Sequence, residues 1–188
     1  MKKKLLAILG SPHENGATAS MLQCVLKSAE AEGWETFILV LNQKQIAFCK
    51  GCRTCIRTGK CVIDDDIQEI AGLLKSCDRV VLAAPTYWAN VPAVVKNMFD
   101  RLLGTAMEET ATFPRARLSS QQEYLLLTAC HTPFPFSWLC GQSKGALRAM
   151  NEFFKTSGMR RMGAVTFPSA KGSELPLKVA KKIQRLWR

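Results

Sequence analysis

The chain has 188 residues, 47% of them hydrophobic and 22% charged, and a formal net charge of +11. This length and composition suit one compact domain with a well-buried core. No window reaches the roughly 18 consecutive apolar residues of a membrane helix. The apolar stretch after the first lysines is too short for a signal peptide. We therefore expect a soluble, cytoplasmic protein without a membrane partner.

Basic residues outnumber acidic residues by 26 to 15. They are scattered, with local clusters at residues 2–4, 115–117 and 160–161 and in the final stretch. No nucleic-acid-binding motif accompanies them. We expect a solvated basic surface that attracts anionic nucleotides, and no nucleic-acid partner.

Apolar runs alternate with helical patterns along the chain. Strands are predicted over residues 4–10, 34–41, 79–84, 124–129 and 161–167. Helices are predicted over residues 18–32, 64–76, 92–104 and 141–156, and from about residue 174 onward. Strands joined by helical crossovers predict a parallel α/β sheet. Because no linker, repeat or low-complexity segment divides the chain, we expect one domain over residues 1–188.

The loop after the first strand, from Gly10 to Thr18, is crowded with small and hydroxyl residues. It lacks the lysine of a Walker loop and the glycine triplet of a dinucleotide fingerprint. Its backbone N–H groups, the hydroxyls of Ser11 and Thr18 and the following helix N terminus are suited to a phosphate. The alternative is an ordinary strand-to-helix turn that is capped by Asn15 or Thr18.

A cysteine-rich loop follows the second strand, at about residues 42–63, and contains Cys49, Cys52, Cys55 and Cys61. The spacing C-x2-C-x2-C-x5-C fits an iron–sulfur cluster, because short steps let successive thiolates turn onto one small inorganic core. Zinc fits less well, since its sites usually take two spaced pairs of ligands. A stable disulfide framework would need a secreted context. A turn with free thiols or an occasional redox disulfide remains the alternative.

The loop after the third strand places two aromatic rings and an amide, Tyr87, Trp88 and Asn90, at the edge of the sheet where α/β proteins bind ligands. A flat ring could lie there with its polar edge facing backbone groups. The alternative for Tyr87 and Trp88 is core packing or an oligomer contact.

Taken together, these segments resemble the flavodoxin-like NAD(P)H-dependent FMN reductase family, and the cysteine run resembles its iron–sulfur flavoprotein branch. The resemblance is carried by three parts of the chain: Gly10-Ser11-Pro12 with Asn15-Gly16 and Thr18, the cysteine run leading into Asp64-Asp65-Asp66, and Pro85-Thr86-Tyr87-Trp88 with Pro92, Lys96 and Phe99-Asp100-Arg101. It implies a five-stranded sheet in the order 2-1-3-4-5 with helices on both faces. It also implies that FMN binds with its phosphate in the first loop and its isoalloxazine ring against the loop over residues 85–91.

The resemblance also implies which residues bind the cofactors. The phosphate positions are Ser11, Asn15, Ala17 and Thr18, and the ring positions are Pro85, Thr86, Tyr87, Trp88, Ala89 and Asn90. Relatives often carry a basic residue in place of His13, so the phosphate relies on N–H groups, hydroxyls or a protonated His13. Cys130 and His131, after strand four, complete the predicted cofactor-binding set. The proline and aromatic residues after them are suited to a flavin lid, a substrate pocket or a dimer surface.

The implied activity is that of an oxidoreductase that passes electrons from NAD(P)H through FMN to a quinone, nitroaromatic, flavin, dioxygen or protein acceptor. No catalytic acid, base or nucleophile is required, because the flavin accepts the hydride. The alternative is an iron–sulfur flavoprotein that carries electrons through a 4Fe–4S cluster on the four cysteines and accepts them from a ferredoxin-like protein. Some relatives keep the four cysteines and hold FMN without a cluster. A cysteine-based sensor that contacts nucleic acid lacks any reader motif.

Two further expectations concern the remaining aromatics and cysteines. Apolar side chains near the flavin predict a homodimer or homotetramer; they are Trp88, Phe134, Phe136 and Trp138. Cys24 and Cys77 lie on predicted helices and are expected to act as small buried hydrophobes.

Overall fold

A computed structural model describes residues 2–188 and contains seven strands. They are β1 (Lys4–Leu9), β2 (Glu35–Val40), β3 (Arg79–Pro85), β4 (Met107–Glu108), β5 (Arg115–Ala116), β6 (Glu123–Ala129) and β7 (Arg160–Phe167). Five of them form one parallel sheet in the order β2-β1-β3-β6-β7, and β4 and β5 form a separate antiparallel pair. Counted along the main sheet, this is the predicted order 2-1-3-4-5, which is confirmed.

Helices cover both faces of the sheet, as predicted. They are α1 (Ala17–Ala31), α2 (Thr54–Thr58), α3 (Ile67–Ser76), α4 (Ala93–Arg101), α5 (Leu103–Ala106), α6 (Phe136–Leu139), α7 (Gln142–Thr156) and α8 (Leu177–Trp187). The core on one face is formed with α1 and α8, and the core on the other with α3, α4 and α7. Within residues 2–188, none of the helices has the length and apolar character needed to cross a bilayer.

The central strands are apolar along their whole length because both of their faces are covered. In β1, Leu6 and Ile8 face the core beneath α3, α4 and α7, while Leu5 and Ala7 face the core beneath α1 and α8. This alternation follows from the two-residue period of a strand. The register in which the strands pair is therefore determined by side chains on both faces. The carboxyl ends of β1, β3 and β6 come together at one edge of the sheet.

Two helices begin later than predicted, and the contacts explain both differences. The helix expected from residue 64 begins at Ile67, because the carboxylates of Asp65 and Asp66 accept hydrogen bonds from Ala47 and Gln45 of the preceding loop. The helix expected from about residue 174 begins after Pro176. Proline disfavours the helical conformation in the residue before it.

The helix predicted over residues 92–104 is divided in the structure. Its first part, α4, ends at Arg101, and the short α5 follows after Leu102. The short elements α2, α6 and the β4–β5 pair were not predicted, because two to five residues carry too little periodic pattern to identify.

Candidate cofactor-binding sites

A cavity of about 320 Å³ opens at the carboxyl edge of the sheet. It is lined by nine residues that the sequence predicts as cofactor ligands: Ser11, His13, Ala17, Thr18, Pro85, Thr86, Tyr87, Cys130 and His131. Four further lining residues were not predicted, namely Gly16, Ala129, Ala170 and Gly172. The loops after four different strands therefore meet at one concave site.

One end of this cavity has backbone N–H groups and hydroxyls of the kind suited to a phosphate. Helix α1 begins at Ala17, and its N-cap residue Gly16 is extended and provides no side-chain cap. The first N–H groups of a helix have no intrahelical acceptor and attract anions. Ser11 and Thr18 are buried beside them, and the N–H of His13 donates to Ser11 Oγ at 3.2 Å. The alternative cap by Asn15 or Thr18 is not formed, and Asn15 lines a neighbouring surface depression.

The other end is formed where β3 and β6 finish side by side. The N–H of Thr86 donates to the carbonyl of Ala129 at 2.9 Å, and the hydroxyls of Thr86 and Thr128 are 3.0 Å apart. These bonds fix Pro85 and Tyr87, which line the cavity on either side of Thr86. The result is a rigid wall of backbone and apolar side chains, suited to a flat ring.

The three predicted ring-binding residues after Tyr87 shape this wall without lining the cavity. Trp88 and Ala89 have positive φ angles of 52° and 56°, and Tyr87 and Asn90 exchange two backbone hydrogen bonds around them. Trp88 is 99% exposed. Helix α7 packs on this tight turn at Gly145, where an added Cβ would lie only 1.7 Å from the carbonyl oxygen of Ala89.

The loops after β6 and β7 close the third side of the cavity. The N–H of Cys130 donates to the carbonyl of Phe167, and the N–H of Ala170 donates to the carbonyl of Cys130, both at 3.0 Å. This pairing brings Ala170 and Gly172 to the cavity. Burial raises the pKa of Cys130 despite hydrogen bonds to it from the Ser137 side chain and the Thr132 backbone. Its thiol therefore stays neutral near pH 7 and contributes bulk without charge.

The four predicted metal ligands line a second cavity, of about 370 Å³, beside α4 and α5. These are Cys49, Cys52, Cys55 and Cys61, and all four are free thiols. Across residues 2–188, no three histidine, cysteine, aspartate or glutamate side chains converge closely enough to hold a metal ion. The four thiols thus share one cavity but do not converge on one point, so they would have to move closer together to bind one cluster.

The backbone of the cysteine loop is tightly folded. Gly51, Arg53 and Gly59 have positive φ angles of 66°, 58° and 73°, which turn the chain back on itself around α2. At Gly104 in α5, an added Cβ would lie 2.1 Å from the carbonyl oxygen of Cys55. Arg117 donates to the carbonyls of Gly104 and Ile56, each at 2.8 Å. The loop is therefore held against α5 at close range.

Helix α4 anchors the two ends of the same loop. Asn97 donates to the carbonyls of Ile46 and Ala47 at 3.1 and 3.3 Å. Arg101, one turn later, forms a bidentate ion pair with Asp65 at 2.8 and 2.9 Å, and Nε donates to Cys61 Sγ at 3.2 Å. The sequence alone predicted no function for Asn97 or Arg101. Polar side chains four apart on the buried face of a helix are the signal that could have found them.

Hydrogen bonds in this loop favour the ionised forms of Asp65 and Cys52. Burial opposes ionisation of Asp65, but hydrogen bonds from Arg101 and from the N–H groups of Ala47 and Ile67 outweigh it, so the pKa of Asp65 is lowered. Hydrogen bonds from the backbone and side chain of Thr54 lower the pKa of Cys52. A thiolate is the form that ligates metals. The donor set, four thiols in one cavity above a buried cation, fits an iron–sulfur cluster.

Cys24 and Cys77 lie outside this loop. Burial raises the pKa of Cys77 to about 12 and also raises the pKa of Cys24. Cys77 is almost fully buried, and Cys24 is half-buried on α1. Both therefore remain neutral, and Cys77 acts as the small buried hydrophobe that was expected.

The fold and the first cavity define a flavodoxin-like protein, since this strand order places the switch point between β1 and β3, where such folds bind FMN. The chain belongs to the NADPH-dependent FMN reductase family, whose pattern matches residues 3–116.

An iron–sulfur flavoprotein of Archaeoglobus fulgidus is 41% identical over 100 residues, which cover 53% of this chain and 46% of the relative. The chain spans about half the length of the curated relatives that it matches.

Solved structures share the fold at low sequence identity. An NAD(P)H:quinone oxidoreductase from Methanothermobacter marburgensis superposes with a TM-score of 0.75 at 13% identity, over 100% of this chain and 98% of the other. An FMN-dependent NADH-azoreductase from Bacillus anthracis, solved in complex with FMN, has a TM-score of 0.71 at 15% identity, over 100% and 98% of the two chains. These likenesses support the fold.

Proposed function

We propose that the protein is an FMN-dependent oxidoreductase that takes electrons from NAD(P)H and passes them to a second acceptor. The observation that carries this proposal is the cavity at the carboxyl edge, with the uncapped start of α1 at one end and the Pro85–Tyr87 wall at the other. Membership in the NADPH-dependent FMN reductase family supports it.

The residues of the chain bind and orient the cofactor. FMN, when bound, accepts a hydride from the nicotinamide and passes electrons on singly or in pairs. The first turn of α1, with Ser11 and Thr18, would hold the phosphate, and Pro85 to Tyr87 would lie against the ring. Cys130 adds an uncharged side chain to the same cavity. No side chain needs to act as an acid, base or nucleophile.

The proposal leaves room for several acceptor classes. The cavity is open to solvent beside the exposed side chains of Tyr87 and His131. An open site of this kind suits small planar acceptors such as quinones, nitroaromatics, free flavins or dioxygen, and a protein acceptor could approach the same edge. A cytoplasmic location is part of the proposal, because reduced thiols persist there and all eight cysteines are free.

FMN titration of the apoprotein, followed by flavin fluorescence, tests the proposed binding site. Thr18→Val keeps the side-chain volume but removes the buried hydroxyl, and a lost hydrogen bond to a charged group is worth about 1.5–3 kcal/mol, so the Kd should rise roughly tenfold or more. Thr36→Val, at an exposed position of β2, serves as the matched control and should leave the Kd unchanged. Wild-type protein that loses all FMN on desalting would contradict the proposal.

A second candidate function is favoured by the second cavity. We propose that Cys49, Cys52, Cys55 and Cys61 bind a 4Fe–4S cluster, which makes the protein an iron–sulfur flavoprotein able to exchange electrons with a ferredoxin-like protein. Four thiols in one cavity, with Cys61 hydrogen-bonded to a buried arginine, support it. The cluster would transfer one electron at a time, and the chain supplies the four thiolates and the cation beside them.

Anaerobic analysis of iron and acid-labile sulfide tests this second function. About four irons per chain are expected in protein made with ample iron and sulfide, with an EPR signal after dithionite reduction. Cys52→Ala should abolish the signal, whereas Cys140→Ala, at an exposed cysteine that does not line the cavity, should retain it. Iron-free wild-type protein would contradict the proposed cluster, and the protein would then be an FMN reductase with a cysteine-rich loop.

A further inference from the structure

Arg101 joins the two ends of the cysteine loop beside the four-cysteine cavity. Its side chain is 0% exposed. Besides the Asp65 ion pair, Nη1 donates to the carbonyl of Ala47 at 2.5 Å and Nη2 to the carbonyl of Ile63 at 3.1 Å. The remaining donor, Nε, points at Cys61 Sγ from 3.2 Å. One guanidinium thus contacts the chain before the first cysteine, the chain after the last, and the last cysteine itself.

The bond to sulfur goes beyond what anchoring the loop requires. Asn97 already donates to the carbonyl of Ala47, and Gln68 donates to the carbonyls of Ile63 and Cys61 at 3.1 and 2.9 Å. The loop ends would therefore keep donors without Arg101. Asp65 is the counter-charge of this buried cation, but it accepts hydrogen bonds from Nη1 and Nη2 only. The placement of Nε against a sulfur is explained if that sulfur carries negative charge.

We propose that Arg101 is a positioning residue for the iron–sulfur cluster: it orients Cys61 as a ligand and raises the reduction potential of the cluster. The inference rests on the proposed cluster-binding function of the four cysteines. Each one-electron reduction, by the flavin or by dithionite, adds one negative charge beside Cys61 and moves no proton. A buried guanidinium that donates to the ligand sulfur stabilises this more negative state.

The midpoint potential, measured by EPR-monitored redox titration of the anaerobic protein, tests the inference. Arg101→Lys keeps the positive charge but removes Nε and the planar fork. We expect roughly a tenfold loss in the equilibrium constant for reduction, which is a decrease of about 59 mV for one electron. Asn97→Ala is the matched control, because it loosens the same loop at Ala47 without touching a cysteine. Equal potentials in Arg101→Lys and wild type would overturn the inference.

A second outcome of the same comparison concerns ligand orientation. If Arg101→Lys folds and binds FMN but loses iron, while Asn97→Ala retains iron, the orienting role of Arg101 is supported. If both variants lose iron equally, the contact is a general structural one and the proposed role is overturned.

Pulsed EPR of the unsubstituted protein gives a test that does not depend on variant folding. Protein labelled with ¹⁵N-arginine and reduced with dithionite should show a ¹⁵N coupling transmitted through the Nε–H···S bond. The signal should persist in Arg53→Lys, which changes the other arginine that lines this cavity. Iron-loaded wild type without the coupling would overturn the role of Arg101 alone. Iron-free wild type would overturn the proposed cluster, and with it this inference.

Discussion

At the scale of single residues, the buried ion pair between Arg101 and Asp65 is one of the contacts that hold the cysteine loop. Asp65 is 14% exposed and its partner Arg101 is fully buried. Removing one partner of a buried pair leaves an uncompensated charge, which typically costs about 3–5 kcal/mol. Asp65 also accepts the N–H groups of Ala47 and Ile67, so the same carboxylate connects the loop to the start of α3.

Asp65→Asn should lower the free energy of unfolding by about 3 kcal/mol near pH 7, because Arg101 loses its counter-charge. The folded-state pKa of Asp65 is lowered, so its contribution is complete above the unfolded-state pKa of about 3.9 and is lost as the pH falls through the folded-state value. Urea unfolding of wild type and variant should therefore converge only below about pH 4.

Asp64→Asn provides the control for this pH series. Asp64 is exposed, and neutralising an exposed carboxylate should change stability by no more than about 0.5 kcal/mol. A gap between wild type and Asp65→Asn that stayed constant down to pH 3 would contradict the role given to the ion pair.

At the scale of secondary-structure elements, α4 and α5 form the support on which the cysteine loop is built. Asn97 and Arg101 lie on the side of α4 that faces the loop, and Gly104 of α5 allows the backbone of Cys55 to approach. The interruption of the predicted helix at Leu102 thus falls between two residues that contact the loop, Arg101 and Gly104.

Gly104→Ala should displace the cysteine loop, because the new methyl group would overlap the carbonyl of Cys55. We expect a loss of about 1–3 kcal/mol in stability, as for overpacking of a filled site, together with weaker iron retention. The control is Gly72→Ala in α3, where an added Cβ meets no atom within 4 Å. That variant should gain up to about 1 kcal/mol in helix stability. Thermal unfolding that moves both variants in the same direction would contradict this assignment.

The elements of the sheet could be predicted from sequence, whereas the loops that complete the sites could not. Strands such as β1 and β3 are apolar runs because they are buried on both faces, so local pattern reveals them. The contact of Arg101 with Ala47 spans 54 positions and leaves no local pattern. Ala170 reaches the first cavity through the hydrogen bond from its backbone N–H to the carbonyl of Cys130. Any residue other than proline could form this bond, so the sequence gives no signal of it.

At the scale of the whole molecule, exposed aromatic rings lie on the segments that follow β3 and β6, the strands whose carboxyl ends form the first cavity. The predicted set, Trp88, Phe134, Phe136 and Trp138, is more than half exposed at every position. Lys144 Nζ lies 3.5 Å from the centroid of the Trp138 ring. Clustered apolar surface on a folded domain commonly marks an interface, and we propose that the protein is a homodimer or homotetramer.

Light scattering at micromolar concentration should give a mass of at least twice the 20.9 kDa of one chain. Exchanging both Phe134 and Phe136 for serine should shift the mass toward the monomer, because it removes apolar area from the proposed interface. Phe113→Ser, in the loop between β4 and β5, changes a ring that is even more exposed than Phe134 and Phe136 and should leave the mass unaltered. A monomeric wild type would rule out the interface.

The most important proposal to test is that this chain uses FMN to oxidise a nicotinamide. Stopped-flow mixing of the FMN-loaded protein with NADH and with NADPH, under anaerobic conditions, measures that step by the loss of flavin absorbance. We predict rapid bleaching by at least one nucleotide, followed by recovery of the flavin absorbance on addition of a quinone. If neither nucleotide bleaches the flavin but reduced ferredoxin does, the proposed reductase activity is contradicted. The protein would then be an electron carrier.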